Sequence, residues 1–209
     1  MKMEKIENII FDLGGVLLDI DYNLTRTAFE KLGVVDFDTM YSQADADPLF
    51  QKLETGKISE ENFYKEFNHR TGNNFSTSEI KKAWNAMLLS FRENSLQYLA
   101  SLRPRYKTYL LSNTNFIHID SFKETFNDKK REKSFNDYFD KAFYSCGIGL
   151  RKPNMNCYEW VLNDLKTNGA KTLFIDDSEQ NIEGAKNAGL HTILLKPGEK
   201  IENLSLEQY

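Results

Sequence analysis

Asp12 ends the apolar run Ile9-Ile10-Phe11 and is followed by Leu13-Gly14-Gly15-Val16. A short run rich in β-branched residues has the character of a buried parallel strand. That places the carboxylate at the strand's carboxyl end, the edge of an open α/β sheet where ligands bind. A carboxylate there can attack an electrophile, hold a metal or simply cap a turn. Two further runs end in the same manner. Thr108-Tyr109-Leu110-Leu111 leads into Ser112-Asn113-Thr114-Asn115, hydroxyls and amides able to donate to an anion. Thr172-Leu173-Phe174-Ile175 leads into the paired carboxylates Asp176-Asp177, and between the two lies a cationic turn, Gly147-Ile148-Gly149-Leu150-Arg151-Lys152-Pro153.

In chain order these tips supply a nucleophile, anion donors, a lysine and an acidic pair. Such a set could act on an anionic electrophile such as a phosphate. An anionic nucleophile meeting an anionic phosphate requires cations: Lys152 can neutralise charge on Asp12 and on the phosphoryl oxygens. Magnesium, which favours hard oxygen ligands, can bridge Asp12 and the phosphate. Asp176 is the expected additional protein ligand, with Asp177 close behind, although Asp176 could instead cap the helix after it. Ser112 can donate its hydroxyl to a phosphoryl oxygen, and Asn113 can orient phosphate or substrate through its backbone or its amide. Arg151 can fix Asp177 or face solvent.

The strands that must carry these tips are expected at residues 8–11, 108–111, 142–144, 173–175 and 192–195, alternating after residue 90 with helices over 94–102, 156–166 and 181–187. That alternation argues for a parallel sheet flanked by helices. Over residues 19–90 no convincing strand is seen. Helices are expected over 22–32, closed by Gly33, in a short piece after Asp47-Pro48, over 59–70, closed by Gly72, and over 79–89. Asp47 and Ser59 are suited to cap them. Phe50, Phe63, Phe67 and Trp84 are expected in the interior of this helical block. The mixed-charge stretch from Asn127 to Ser134 is expected to be a solvated loop or frayed helix.

The order of Phe11-Asp12-Leu13-Gly14-Gly15-Val16, Leu111-Ser112-Asn113-Thr114-Asn115, Arg151-Lys152-Pro153 and Asp176-Asp177 with Asn181-Ile182-Glu183-Gly184-Ala185 resembles the haloacid dehalogenase superfamily of aspartate-nucleophile hydrolases. Within it the chain looks most like small bacterial sugar-phosphate phosphatases of the α-glucose-1-phosphate type. The resemblance implies an α/β fold: a three-layer Rossmann-like parallel-sheet core, residues 1–18 and 91–209, with a helical cap, residues 19–90, inserted between the first two core strands. It implies a magnesium-dependent phosphatase working through an aspartyl-phosphate, with Asp12, Ser112 and Lys152 catalytic, Ser112, Asn113 and Lys152 on substrate, and Asp12, Asp176 and the Gly14 carbonyl on the metal.

One position departs from the superfamily's pattern. Most of its phosphatases carry a second aspartate two residues after the nucleophile, which protonates the leaving oxygen. Here that residue is Gly14. General acid–base help of this kind is worth roughly 10²–10⁴-fold, so another group must supply it or the leaving group must need less of it. Asp19 and Asp21 are candidates, or they cap the helix that follows. Gly14 also leaves open a 2-haloacid dehalogenase, in which Asp12 attacks carbon without a metal, and a non-catalytic binder of a phosphometabolite. Asp176-Asp177 argues against the first, because adjacent carboxylates beside an anionic nucleophile call for a cation.

Composition narrows the remaining classes. The chain has 209 residues, enough for a sizeable core, and a net charge of −4, unsuited to non-specific nucleic-acid binding. No run approaches the ~18 apolar residues of a membrane span, and residues 1–7 lack a signal peptide's apolar stretch. Two cysteines, Cys146 and Cys157, form no disulfide framework, and His69, His118 and His191 are too scattered to suggest zinc. A cytoplasmic enzyme acting on a small phosphorylated metabolite, as a monomer or small homo-oligomer, is the expectation.

Overall fold

The computed structural model of the protein describes residues 5–41, 47–129, 131 and 133–208. In chain order it contains β1 (Asn8–Phe11), β2 (Leu18–Ile20), α1 (Tyr22–Leu32), α2 (Pro48–Glu54), α3 (Glu60–Thr71), α4 (Thr77–Asn85), β3 (Leu88–Phe91), α5 (Glu93–Leu102), β4 (Lys107–Ser112), α6 (Phe116–Asp128), β5 (Lys141–Tyr144), α7 (Ser145–Ile148), α8 (Met155–Asp164), β6 (Thr172–Asp176), α9 (Glu179–Asn187) and β7 (His191–Leu194). Five strands form one parallel sheet in the order β5-β4-β1-β6-β7. No described helix is long and apolar enough to cross a membrane.

Both faces of the central strands β1, β4 and β6 are covered, which is why these strands are largely apolar rather than alternating. Successive side chains still point to opposite faces. Ile9, Phe11, Leu110, Leu173 and Ile175 pack with Leu96 and Leu99 of α5 and Phe122 and Phe126 of α6. Ile10, Tyr109, Leu111 and Phe174 pack on the other side with Tyr158 and Val161 of α8 and Ile182 and Ala185 of α9. Helix α6 begins where the Asn115 side chain accepts from the His118 backbone amide at 3.0 Å.

The chain leaves the sheet after β1 and returns at β4. Helices α1 to α4 occupy that excursion around an interior of Phe29, Phe37, Phe50, Phe63, Phe67 and Trp84. Ring contacts such as Phe29–Phe37 at 4.5 Å and Phe50–Trp84 at 4.9 Å knit it, each worth about 0.5–1.5 kcal/mol beyond burial. Asp21, Asp47, Ser59 and Ser76 cap the four helices through their side chains. Gly33 and Gly72 close α1 and α3 at φ 95° and 66°, where a glycine is favoured.

Three expectations need correction. Strands do occur at the borders of the helical block: β2 and β3 form an antiparallel ribbon, Leu18 opposite Phe91 and Ile20 opposite Leu88. The helix expected over 79–89 therefore stops at Asn85. Strands of three and four residues are too short to show a period, and their pairing partners are distant in sequence. The third is Arg151, which pairs neither with Asp177 nor with solvent alone; it meets Glu54 of α2 at 2.9 Å. In the mixed-charge stretch, Arg131 folds back onto the Phe126 carbonyl at 2.6 Å and pairs with Glu93, as does Lys129. Lys130 and Glu132 lie outside the described residues.

Candidate active site

Parallel register gathers the three strand tips. Phe11 is level with Leu110 on one side and Ile175 on the other, and the Asp12 amide donates to the Ile175 carbonyl at 2.9 Å. Asp12, Ser112 and Asp176 therefore share the carboxyl edge at the point where the strand order reverses around β1, the usual ligand crevice of such sheets.

Lys152 joins them from the loop between α7 and α8. Its ammonium donates to Asp12 Oδ1 at 2.7 Å and to Asp176 Oδ2 at 2.6 Å, and its side chain is only 1% exposed. An amide clamp fixes the loop: Asn113 Nδ2 donates to the Lys152 carbonyl and the Lys152 amide donates to Asn113 Oδ1, both at 2.9 Å. This side chain is thus committed to positioning Lys152, which leaves its backbone as the part able to meet a substrate. Ser112 is buried and lines the same cavity as Asp12, Asn113 and Lys152.

Asp176 is held by the Ser178 amide at 2.8 Å and by Asn181 Nδ2 at 3.0 and 3.1 Å. Ser178, not Asp176, is the residue preceding α9. Oxygens of Asp12, Asp176 and Asp177 lie within 4.8 Å of one another. Burial pushes the Asp12 carboxyl above its ordinary range, Asp176 and Asp177 add to the rise, and Lys152 opposes it. Burial likewise pushes Asp177 up to about 6, with Asp176 adding. For Lys152 burial acts downward, but Asp12 and Asp176 outweigh it and the ammonium is held firmly protonated. Three hard carboxylates facing one lysine leave excess negative charge, a donor set that suits a divalent cation such as magnesium.

The loop after Asp12 is shaped to admit this cluster. Gly15 has φ +68°, and a Cβ on it would lie 2.1 Å from Asp177 Oδ2, so only glycine fits beside that carboxylate. Arg92 steadies the loop through the Gly15 carbonyl, the Val16 carbonyl at 3.3 Å and Asp19 at 2.6 Å. At Gly14 a Cβ would meet Ile20 Cδ1 at 2.1 Å. An isoleucine side chain thus occupies the room a residue with a side chain would need there. Neither acid/base candidate lines the cavity: Asp19 pairs with Arg92 and Lys200, and Asp21 caps α1.

The cavity, about 120 Å³, is closed by the helical block through Ile20, Tyr22, Tyr41 and Glu54. His118 and Arg151 also line it. Of these, Arg151 stood in the cationic turn and Asn181 in the motif after Asp176-Asp177, while Ile20, Tyr22, Tyr41, Glu54, His118 and Arg92 have no assigned role in the sequence. Their contacts depend on tertiary approach, as the pairing of Arg151 with Glu54 does.

A sequence profile described as haloacid dehalogenase-like hydrolase matches residues 6–189. D-ribitol-5-phosphate phosphatase of Bacteroides thetaiotaomicron is 36% identical over 188 residues, covering 90% of each chain. A HAD family enzyme of the same organism, crystallised as an aspartate-to-alanine mutant in complex with magnesium and inorganic phosphate, superposes with a TM-score of 0.90 at 32% identity, covering 95% of this chain and 98% of that one. A predicted HAD-like hydrolase of Porphyromonas gingivalis superposes with a TM-score of 0.88, also at 32% identity, covering 98% of both chains.

Proposed function

This chain belongs to the haloacid dehalogenase-like hydrolases, and from that premise we propose that it is a magnesium-dependent phosphatase of a small phosphorylated sugar or polyol, working through an aspartyl-phosphate on Asp12. It is a phosphoric monoester hydrolase acting on a small phosphorylated metabolite. The observation that carries the finer reading is the Asp12–Lys152–Asp176 cluster, with Asp177 beside it, at the carboxyl edge of the sheet. A metal-free dehalogenase would have no use for three carboxylates in contact.

In this mechanism an oxygen of Asp12 attacks phosphorus as the bond to the leaving oxygen breaks. The departing alcohol takes a proton, and water then attacks phosphorus, releasing phosphate and regenerating the carboxylate. Lys152 neutralises Asp12 and the phosphoryl oxygens, and Ser112 donates to one of them. Asp12, Asp176 and the Gly14 carbonyl would hold magnesium, with Asp177 beside them; the ion supplies charge neutralisation at the phosphate. The helical block over residues 19–90 serves as a cap that excludes bulk water and selects the leaving group.

The direct test is phosphate release from a panel of sugar and polyol phosphates with and without magnesium. Chelation is expected to abolish turnover, and Asp176→Ala to raise the magnesium concentration for half-activity at least about tenfold. Activity indifferent to chelator would remove the metal from the mechanism.

A second expectation follows from Gly14 and from the engagement of Asp19 with Arg92 and Lys200 and of Asp21 with the start of α1. Rates should depend steeply on leaving-group acidity, so that glucose 1-phosphate and aryl phosphates outrun glucose 6-phosphate when chemistry is limiting. Gly14→Asp alone requires the end of the Ile20 side chain to turn aside. Gly14→Asp with Ile20→Val removes the clashing Cδ1 and should narrow the gap, up to the roughly 10²–10⁴-fold of general acid catalysis. Equal wild-type rates on the 1- and 6-phosphates of one well-bound sugar would mean that another group delivers the proton.

A further inference from the structure

Buried polar atoms without hydrogen-bond partners are scarce in folded proteins, and each calls for an explanation. Among the described residues, three such atoms belong to side chains lining the cavity beside Asp12: Glu54 Oε2, His118 Nε2 and Arg151 Nε. Glu54 is 2% exposed and His118 6%. Glu54 Oε1 accepts from the Tyr41 hydroxyl at 2.9 Å. Its Oε2 lies 2.9 Å from Arg151 Nη2, a charge contact off the direction of the guanidinium N–H groups. The His118 ring stacks on Trp84 at 4.6 Å, and its Nδ1 lies 2.8 Å from Asn85 Oδ1. With Asn85 accepting, the proton sits on Nδ1 and Nε2 presents a lone pair. Burial holds the ring neutral by pushing its pKa down to about 3.

Stability does not account for this arrangement. A buried ion pair between cap and core has a desolvation cost its Coulomb energy barely offsets, and apolar residues would join the two parts as well. The unused atoms instead have the pattern of a hydroxylated ligand: two acceptors and one donor, matching hydroxyls that each donate once and accept as well. We propose that Glu54, Arg151 and His118 form the subsite that recognises the hydroxyl groups of the leaving alcohol, making this enzyme selective for phosphate esters of polyhydroxylated alcohols over plain alkyl esters of similar leaving-group acidity. The proposal rests on the phosphatase reading above and assigns its specificity to three named side chains. Small side-chain rotations that bring these enclosed atoms to the cavity wall would let one hydroxyl donate to Glu54 Oε2 while accepting from Arg151 Nε, and a second donate to His118 Nε2. An ester lacking hydroxyls would leave all three atoms desolvated and unpaired, which is how a polar pocket rejects an apolar analogue.

The test compares ribitol 5-phosphate with n-pentyl phosphate, which has the same chain length and no hydroxyls. Wild type, Glu54→Gln and His118→Phe are assayed on both. Inhibition by inorganic phosphate reports the state of the phosphate end, and thermal melting reports the fold. Wild type should prefer the polyol ester. Each variant should lose roughly 10–100-fold in kcat/KM on ribitol 5-phosphate, as for one hydrogen bond at a charged or desolvated group. The loss should fall mainly in KM and be at least tenfold smaller on pentyl phosphate, with phosphate inhibition retained. Should Glu54→Gln fail to fold with Arg151 unpaired, His118→Phe, which keeps the stack on Trp84, carries the same comparison. Equal losses on the two esters would overturn the proposal and leave Glu54–Arg151 as a structural tie. A folded wild type that hydrolyses both esters equally well would overturn the hydroxyl subsite alone. One that hydrolyses neither these nor any other phosphate ester would overturn the phosphatase reading beneath it.

Discussion

Asp12→Asn is expected to lose roughly 10⁴-fold or more in turnover, the scale seen when a covalent nucleophile is removed, while the protein melts at or above the wild-type temperature in magnesium-free buffer. The amide is nearly isosteric with the carboxylate and can still accept from Lys152 through its oxygen, so the 2.7 Å contact has a neutral counterpart. It cannot attack phosphorus effectively, because its lone-pair density is delocalised and it carries no charge. Its effect on stability should run the other way. Asp12, Asp176 and Asp177 crowd their oxygens within 4.8 Å, with Lys152 alone bonded between two of them. Removing one negative charge relieves repulsion that the active site maintains at the expense of the fold. Steady-state assays and thermal melts with chelator present check both halves. Near-normal phosphate release from Asp12→Asn would dismiss covalent catalysis through this residue.

Lys152→Met should produce the second large effect, and in stability it points the opposite way. The ammonium is wholly enclosed and bonded to two carboxylates, so its loss leaves buried charges uncompensated. Breaking a buried pair by deleting one partner costs about 3–5 kcal/mol, and about 1 kcal/mol moves the melting point of a protein this size by roughly 2–4 °C. In chelator the variant should therefore melt about 6–20 °C below wild type. Magnesium should recover part of that deficit, because a cation among the same carboxylates replaces some of the missing charge. Turnover should fall by roughly 10²–10³-fold even with magnesium saturating, since in the proposed mechanism Lys152 would also neutralise the phosphoryl oxygens. A melting deficit unchanged by magnesium would show that the ion does not bind among these carboxylates.

The strands and helices that build the sheet were legible because each announces itself locally. The β-branched run at Asn8–Phe11, the caps Asp47 and Ser59, and the stops at Gly33 and Gly72 all act within a few residues. The ribbon of β2 and β3 was not, because strands of three and four residues exist only through pairing with each other across the helical block. Asn113 shows the same limit at the site. Its type and position marked it for the catalytic edge, but its amide is taken by the Lys152 backbone, 39 residues on.

By itself the sequence supplied the reactive groups: a carboxylate, hydroxyl and amide donors and an acidic pair at the ends of three apolar runs, with a lysine in a turn between them, in an order a parallel sheet brings to one edge. That follows from physics acting over short distances, since strand propensity, turn chemistry and residue type are properties of neighbours along the chain. Tertiary structure alone decided what surrounds that chemistry. Ile20 fills the space next to Gly14, Asp19 is drawn away to Arg92, and Glu54, His118 and Arg151 meet around the cavity with unpaired polar atoms. Those are contacts between segments tens of residues apart, fixed by how the helical block packs over the sheet, and no local pattern encodes which buried side chains will meet there.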